Sequence, residues 1–242
     1  MSTEEQIRPA GRHILSRFDG DLGRLRRIVL DMGSRVIEQV ELASEALSEC
    51  DVAKARKVIH AHREIRDLDI DALQANAALY ALHQPVASDL RYVLTLTRAV
   101  YDLERVEGEA VRLADMAEGL YEFQPTLREC AILEDVRRMA HVTTVLLRRA
   151  MGALAEEDVR ASVDVALEGS EIEQQFKGAL RRLATYLMED PRNIRWVIET
   201  TLGVKAMERV GDHACSIARN IIYSVTGRDV RHASLASLQQ AG

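Results

Sequence analysis

Around residue 106 the apolar side chains Leu103, Val106, Ala110 and Leu113 return every three or four positions, and Met207, Val210, Ala214 and Ile217 do the same further along the chain. That spacing lays one apolar stripe along a helix, and the alanines within it let a neighbouring helix come close. Breaks are equally legible. Pro85 in HQPVAS, Pro125 in GLYEFQPT and Pro191 in MEDPRN interrupt the helical pattern, while Pro9 stands in the N-terminal stretch. Asp51 and Asp158 each precede a valine, in the position of an N-cap whose carboxylate accepts from free backbone N–H groups. Thr126-Leu-Arg-Glu129 has the form of a capping box, and Asp190-Pro191 puts a capping acid before a proline suited to the first helical position. Gly119 and Gly227 are placed to end their helices in the left-handed conformation. These signals predict six helices, at about residues 14–49, 52–82, 88–118, 129–156, 159–189 and 192–226. At 1.5 Å per residue, rods of this size are ~45 Å long.

The six helices read as two copies of three. Ala43, Ala46, Leu47, Asp51 and Val52 recur 107 positions later as Ala150, Ala153, Leu154, Asp158 and Val159. Glu104-Arg105-Val106, Ala110 and Ala114 recur 104 positions later as Glu208-Arg209-Val210, Ala214 and Ala218. The deficit falls between the middle and last helices of the second copy, where a turn absorbs a deletion. Repetition of this kind marks duplication of a three-helix unit. The expectation is therefore an all-α chain of two tandem three-helix bundles, residues 12–122 and 126–228, with loosely held tails at 1–11 and 229–242. Short turns make each bundle run up, down and up.

Composition narrows the function. With 242 residues, 47% of them hydrophobic and 29% charged, the chain builds a packed interior and fits neither a disordered nor a membrane class. The longest uncharged stretch, Ala72 to Ser88, is too short and too polar for the ~20 apolar residues of a spanning helix. Membrane association is expected only peripherally, through partners. A net charge of −6 argues against nucleic acid. Cys50, Cys130 and Cys215 are far apart and form neither a disulfide framework nor a zinc spacing, and the acidic N-terminus lacks the apolar core of a secretory signal. A cytoplasmic protein is expected. There is no G-x-G-x-x-G, P-loop, H-E-x-x-H or G-x-S-x-G pattern, and none of the seven histidines has a Glu three residues before it. No enzyme is expected.

What remains is the duplicated tract, DLERVEGEAVRLA at 102–114 and AMERVGDHACSIA at 206–218. Glu208 and Asp212 stand four residues apart, so their carboxylates project from one helix face and repel by roughly 0.2–0.5 kcal/mol unless offset. An oxygen-ligated cation would offset them, with His213 directed about 100° round the helix. Arg209 and basic residues of neighbouring helices would do so equally well.

Five ordered motifs carry a resemblance. ERVGDHA at 208–214, QPVASDLR at 84–91, FDGDL at 18–22 with Met32-Gly33, LATYLMEDPRNI at 183–194 and G-x-DVRH at 227–232 together resemble the PhoU family, the phosphate-signalling accessory proteins of the bacterial Pst phosphate transporter. The likeness runs from about His13 to His232 and includes the duplication. It implies two tandem three-helix bundles without catalytic activity. It implies a regulator of phosphate homeostasis that couples the ATPase subunit of a phosphate ABC transporter to a membrane sensor histidine kinase and restrains the phosphate-starvation response, often as a homodimer. Some members carry multinuclear metal clusters on Asp/Glu-x-x-x-Asp pairs of the middle and last helices.

This chain keeps that acidic pattern incompletely. Glu208 and Asp212 form the intact pair, with Arg209 and His213 beside it. In the first copy Glu104 and the adjacent Arg105 remain, but Glu107 stands where Gly is usual and Gly108 where Asp is usual. On the middle helices the acid positions become His62 and Arg66, and Gly169 and Glu173. A guanidinium cannot ligate a cation, so Arg66 is expected to neutralise Glu104 directly in place of a metal. The second copy retains Glu173, Glu208 and Asp212, enough for a weakly bound divalent metal or iron if the helices converge. No cofactor is required. Two other readings stay open, a metal-binding helical protein and a diverged paralogue acting on another regulatory pathway. Trp196 and Cys215 are expected in the core, and Arg24, Arg26, Arg27 and Arg35, interspersed with acids, on a mixed-charge face. Arg91 is expected to pair with acids at a neighbouring helix end.

Overall fold

The computed structural model describes residues 10–123 and 127–230, with side chains from residue 17 onward except at 127–131. Six α-helices account for almost all of it: α1 (Ala10–Glu49), α2 (Val52–His83), α3 (Ala87–Tyr121), α4 (Leu127–Glu156), α5 (Val159–Glu189) and α6 (Ile194–Thr226). A single 3₁₀ turn, Pro191–Asn193, leads into α6. The helices therefore match the sequence pattern in number and order.

Local chemistry explains the turns. The α1–α2 and α4–α5 turns are copies of each other. Cys50 (φ 52°) and Glu157 (φ 52°) end the preceding helix in the left-handed conformation. The aspartate that follows each then caps the next helix. Asp51 accepts from the Ala53 and Lys54 amides, and Asp158 accepts from the Ala161 amide. Asp190 accepts from Arg192 N and starts the 3₁₀ turn with Pro191 at its first position. Gly227 (φ 73°) ends α6, as its lack of a Cβ allows.

Three details differ from expectation. Gly119 does not end α3, which runs through it to Tyr121, because nothing crowds that turn and the chain leaves through Glu122 in the right-handed region. Helix α1 already begins at Ala10, inside the expected N-terminal tail, and Val230 is buried in the core beyond the expected second bundle. The capping box at Thr126 lies outside the described residues.

Two three-helix units, α1–α3 and α4–α6, lie side by side and share one hydrophobic core. Helix α1 packs on α4 and α3 packs on α6, so the duplicated elements meet their own copies. On the α1–α4 seam Gly33 faces Met151, and Arg148 Nη2 reaches both Glu41 oxygens at 2.8 Å. Arg26 donates to the Ala155 carbonyl at the end of α4, where a cation suits the negative end of a helix. Arg35 bonds Asp31 and Glu64.

Candidate functional site

The two motif tracts lie on α3 and α6 and are the seam between the repeats. Leu103, Val106, Ala110 and Leu113 of α3 and Met207, Val210, Ala214 and Ile217 of α6 are all fully buried. At one contact per turn with alanines at the crossing, the helices come close enough to exclude water. Polar contacts fix their antiparallel register. Arg91 Nε donates to the Ser224 carbonyl at 3.0 Å, and Thr95 Oγ1 donates to the Asn220 carbonyl at 3.0 Å. Arg98 Nη1 donates to Asn220 Oδ1 at 3.0 Å, and Arg209 Nη1 donates to Glu109 Oε1 at 3.1 Å. His213 Nδ1 lies 2.9 Å from Asp102 Oδ1. Arg91 thus meets the carbonyl end of α6 rather than acidic side chains, because the terminal carbonyls of a helix need donors.

The duplication makes this seam quasi-symmetric, and the sequence breaks the symmetry where charge demands it. Glu109 in the first copy corresponds to His213 in the second, and Arg105 to Arg209. The mirror of the Arg209–Glu109 pair would place Arg105 against His213, two basic groups. Instead Arg105 stacks on and bonds Tyr101, with its guanidinium carbon 4.9 Å from the ring centroid, and His213 turns to Asp102. Arg209 and His213 therefore hold the seam, while Arg105 stays against Tyr101 on its own helix.

In the first repeat, α2 and α3 enclose a cleft of about 360 Å³ lined by Met32, His62, Ile65, Arg66, Asp69, Glu104, Glu107 and Gly108. Its centre is a pair that the sequence reading did not foresee: His62 Nδ1 lies 2.5 Å from Glu107 Oε1. Glu107 is only 4% exposed, and burial pushes its carboxyl above the ordinary range while His62 pulls it back. The expected Arg66–Glu104 pair is not formed. The buried Glu107 has the greater need of a partner, and His62 is the side chain that reaches it; Arg66 acts on Glu107 only through its field.

The second repeat is built differently at the same positions. Gly169 and Gly211 stand where His62 and Glu107 stand in the first, and a Cβ on Gly211 would lie 3.0 Å from Ile172 Cγ2. Two glycines thus replace a buried carboxyl and its imidazole partner by close helix contact. Glu208 is ion-paired to Lys205, and Lys205 Nζ lies 5.1 Å from the centroid of Phe176. Glu173 is taken by Lys177 at 2.6 Å and is exposed. Among the described residues no three His, Cys, Asp or Glu side chains stand so that together they could hold a metal ion. Lys205 was readable beforehand as a lysine three residues before Glu208, the spacing of a helical ion pair.

Burial first, then the neighbouring Glu208, holds the Asp212 carboxyl above its ordinary value of 3.8. A raised carboxyl contributes stability below that ordinary value and loses it as pH rises through the folded one. Asp212→Asn is therefore expected to raise the melting temperature at pH 7 and to give no gain below pH 3.8. Thermal scans at the two pH values check this, and an equal gain at both contradicts it.

Trp196 and Cys215 are buried as expected, and burial pushes the Cys215 thiol up to about 11, which leaves it unreactive. No described helix is long and apolar enough to cross a membrane.

Comparison with known proteins supplies the context for this geometry. The PhoU domain matches twice, over residues 29–117 and 136–221, one match per three-helix unit. A protein of Pseudomonas putida named phosphate-specific transport system accessory protein PhoU homolog is 35% identical over 223 residues, 92% of this chain and 86% of its own length. A Pseudomonas aeruginosa protein of the same name is 34% identical over 228 residues, 94% of this chain and 93% of its own. The crystal structure of PhoU from Pseudomonas aeruginosa superposes with a TM-score of 0.81 at 33% identity, covering 87% of this chain and all of that one.

Proposed function

The chain belongs to the PhoU family, and from that membership we propose a non-enzymatic regulator of phosphate transport that couples the ATPase subunit of a phosphate ABC transporter to a membrane sensor histidine kinase and restrains the starvation response when phosphate is plentiful. The observation that carries this reading is the match of both repeats, in order, to relatives named as accessory proteins of the phosphate-specific transport system.

The surface agrees with a docking role. Ile194, Ile198 and Leu202 remain exposed along one flank of α6, and Ile70, Leu73 and Leu82 remain exposed on α2. Exposed apolar rows on otherwise charged helices are where partner proteins bury surface. A scaffold without reactive groups regulates by binding one conformation of its partner better than another. A coupling of roughly 1–3 kcal/mol shifts such an equilibrium about 5- to 150-fold. The proposed setting is the cytoplasm, with the chain acting as a homodimer.

Deleting the gene for this chain is expected to leave starvation genes expressed in phosphate-rich medium, and restoring it is expected to silence them. A transcriptional reporter reads the outcome, and unchanged repression in the deletion strain contradicts the proposal.

A further inference from the structure

In both repeats a side-chain cation already stands among the motif carboxylates. In the second, Lys205 projects from α6 one turn before Glu208, bonds its carboxylate and rests against the Phe176 ring of α5. An ammonium over an aromatic face is held there by the ring quadrupole as well as by the carboxylate. Its charge also reaches both neighbouring carboxylates, lowering the proton affinity of Asp212 against burial and Glu208 and adding to the larger effect of Lys177 at Glu173. In the first repeat the basic side chains come from α2. His62 holds the buried Glu107, and Arg66 lines the same cleft beside Glu104.

We propose that Lys205 is the resident cation of the second repeat, as Arg66 is of the first, and that these tethered charges take the place of the divalent ions implied by the fold family. The donor set does not fit a metal as it stands. An ion approaching Glu208 and Asp212 meets a positive charge that cannot diffuse away. Glu173, the third carboxylate nearby, is engaged by Lys177 at 2.6 Å, but both side chains are exposed and such a surface pair is weak, so Lys205 is the main obstacle. In the first repeat the partner acid is replaced by Gly108, and a guanidinium has no lone pair to offer.

Lys205→Met tests this directly, because methionine keeps an apolar stem against Phe176 and removes only the charge. The lysine side chain is 43% exposed, so its replacement leaves the core intact. The probe is Mn²⁺ alone, titrated into the full chain at physiological ionic strength, with free ion read by electron paramagnetic resonance and helicity checked by circular dichroism. The parent is expected to take up no Mn²⁺ below millimolar concentration. K205M is expected to bind one Mn²⁺ per chain at least tenfold more tightly than the parent, Lys205→Gln to behave likewise, and K205M combined with Glu208→Gln to lose the gain. Equal affinity in parent and K205M overturns the proposal, whether both bind or neither does.

Discussion

Leucine at position 203 is expected to lower the stability of the folded chain by about 3 kcal/mol, the upper end of the usual range for overpacking a core. Gly203 lies on α6 where that helix meets both α4 and α1. A Cβ there would stand 2.8 Å from Val136 Cγ2 and 3.2 Å from Leu47 Cδ2. Both neighbours are fully buried, and the β-branched valine cannot swing aside within its helix. Alanine would regain roughly 1 kcal/mol of helix propensity and lose more than that to the clash. The rest of a leucine side chain has no space to enter. At roughly 2–4 °C per kcal/mol for a chain of this size, the melting temperature should fall by about 6–12 °C. Gly108→Ala is the control, since nothing lies within 4 Å of a Cβ there. Scanning calorimetry that found the two variants equally stable would mean that α6 is not seated between α1 and α4.

The second large effect concerns Asp135 on α4, whose side chain is 1% exposed. Arg182 of α5 approaches it with Nη2 at 2.7 Å and Nε at 3.0 Å, and Arg138 adds a bond at 3.0 Å. Each arginine keeps half or more of its surface in water, so the pairing leaves the carboxylate buried and the guanidinium groups near the rim. Replacing both arginines by methionine strands a buried negative charge and is expected to cost about 3–5 kcal/mol, read by urea unfolding. Asp135→Leu added to that background should recover most of the loss, because an apolar group of similar size has no charge to desolvate. A loss below 1 kcal/mol in the double variant would show that Asp135 is solvated.

Much of this fold is written in local sequence. The capping aspartates Asp51 and Asp158 follow from short-range chemistry and are visible one residue at a time, whereas nothing in the residue type marks Cys50 and Glu157 as left-handed. The stripe from Leu103 to Leu113 and its copy on α6 are legible for the same reason, since periodicity shows which face of a helix is apolar. Periodicity does not say what that face meets. That the duplicated helices pack on each other depends on contacts such as Thr95 with Asn220 and Gly33 with Met151, between residues far apart in the chain and ordinary in type. The candidate site divides in the same way. Glu208 with Asp212 is an intrahelical spacing and could be read, as Lys205 with Glu208 could have been. The His62–Glu107 pair joins two helices and needed the packing of α2 on α3 to bring it together. The swap of that pair for Gly169 and Gly211 becomes intelligible only once the cleft is seen to be lined by polar side chains in one repeat and closed by helix contact in the other.

The central claim is that a duplicated helical scaffold regulates phosphate transport by holding partner proteins. Sedimentation velocity of the purified chain, mixed with the transporter's ATPase subunit and the cytoplasmic part of the sensor kinase, tests it most directly. The account predicts a species containing all three, formed at micromolar concentration and retained when Cys215 is replaced by alanine. Independent sedimentation of the chain from both partners, with and without nucleotide, would contradict it.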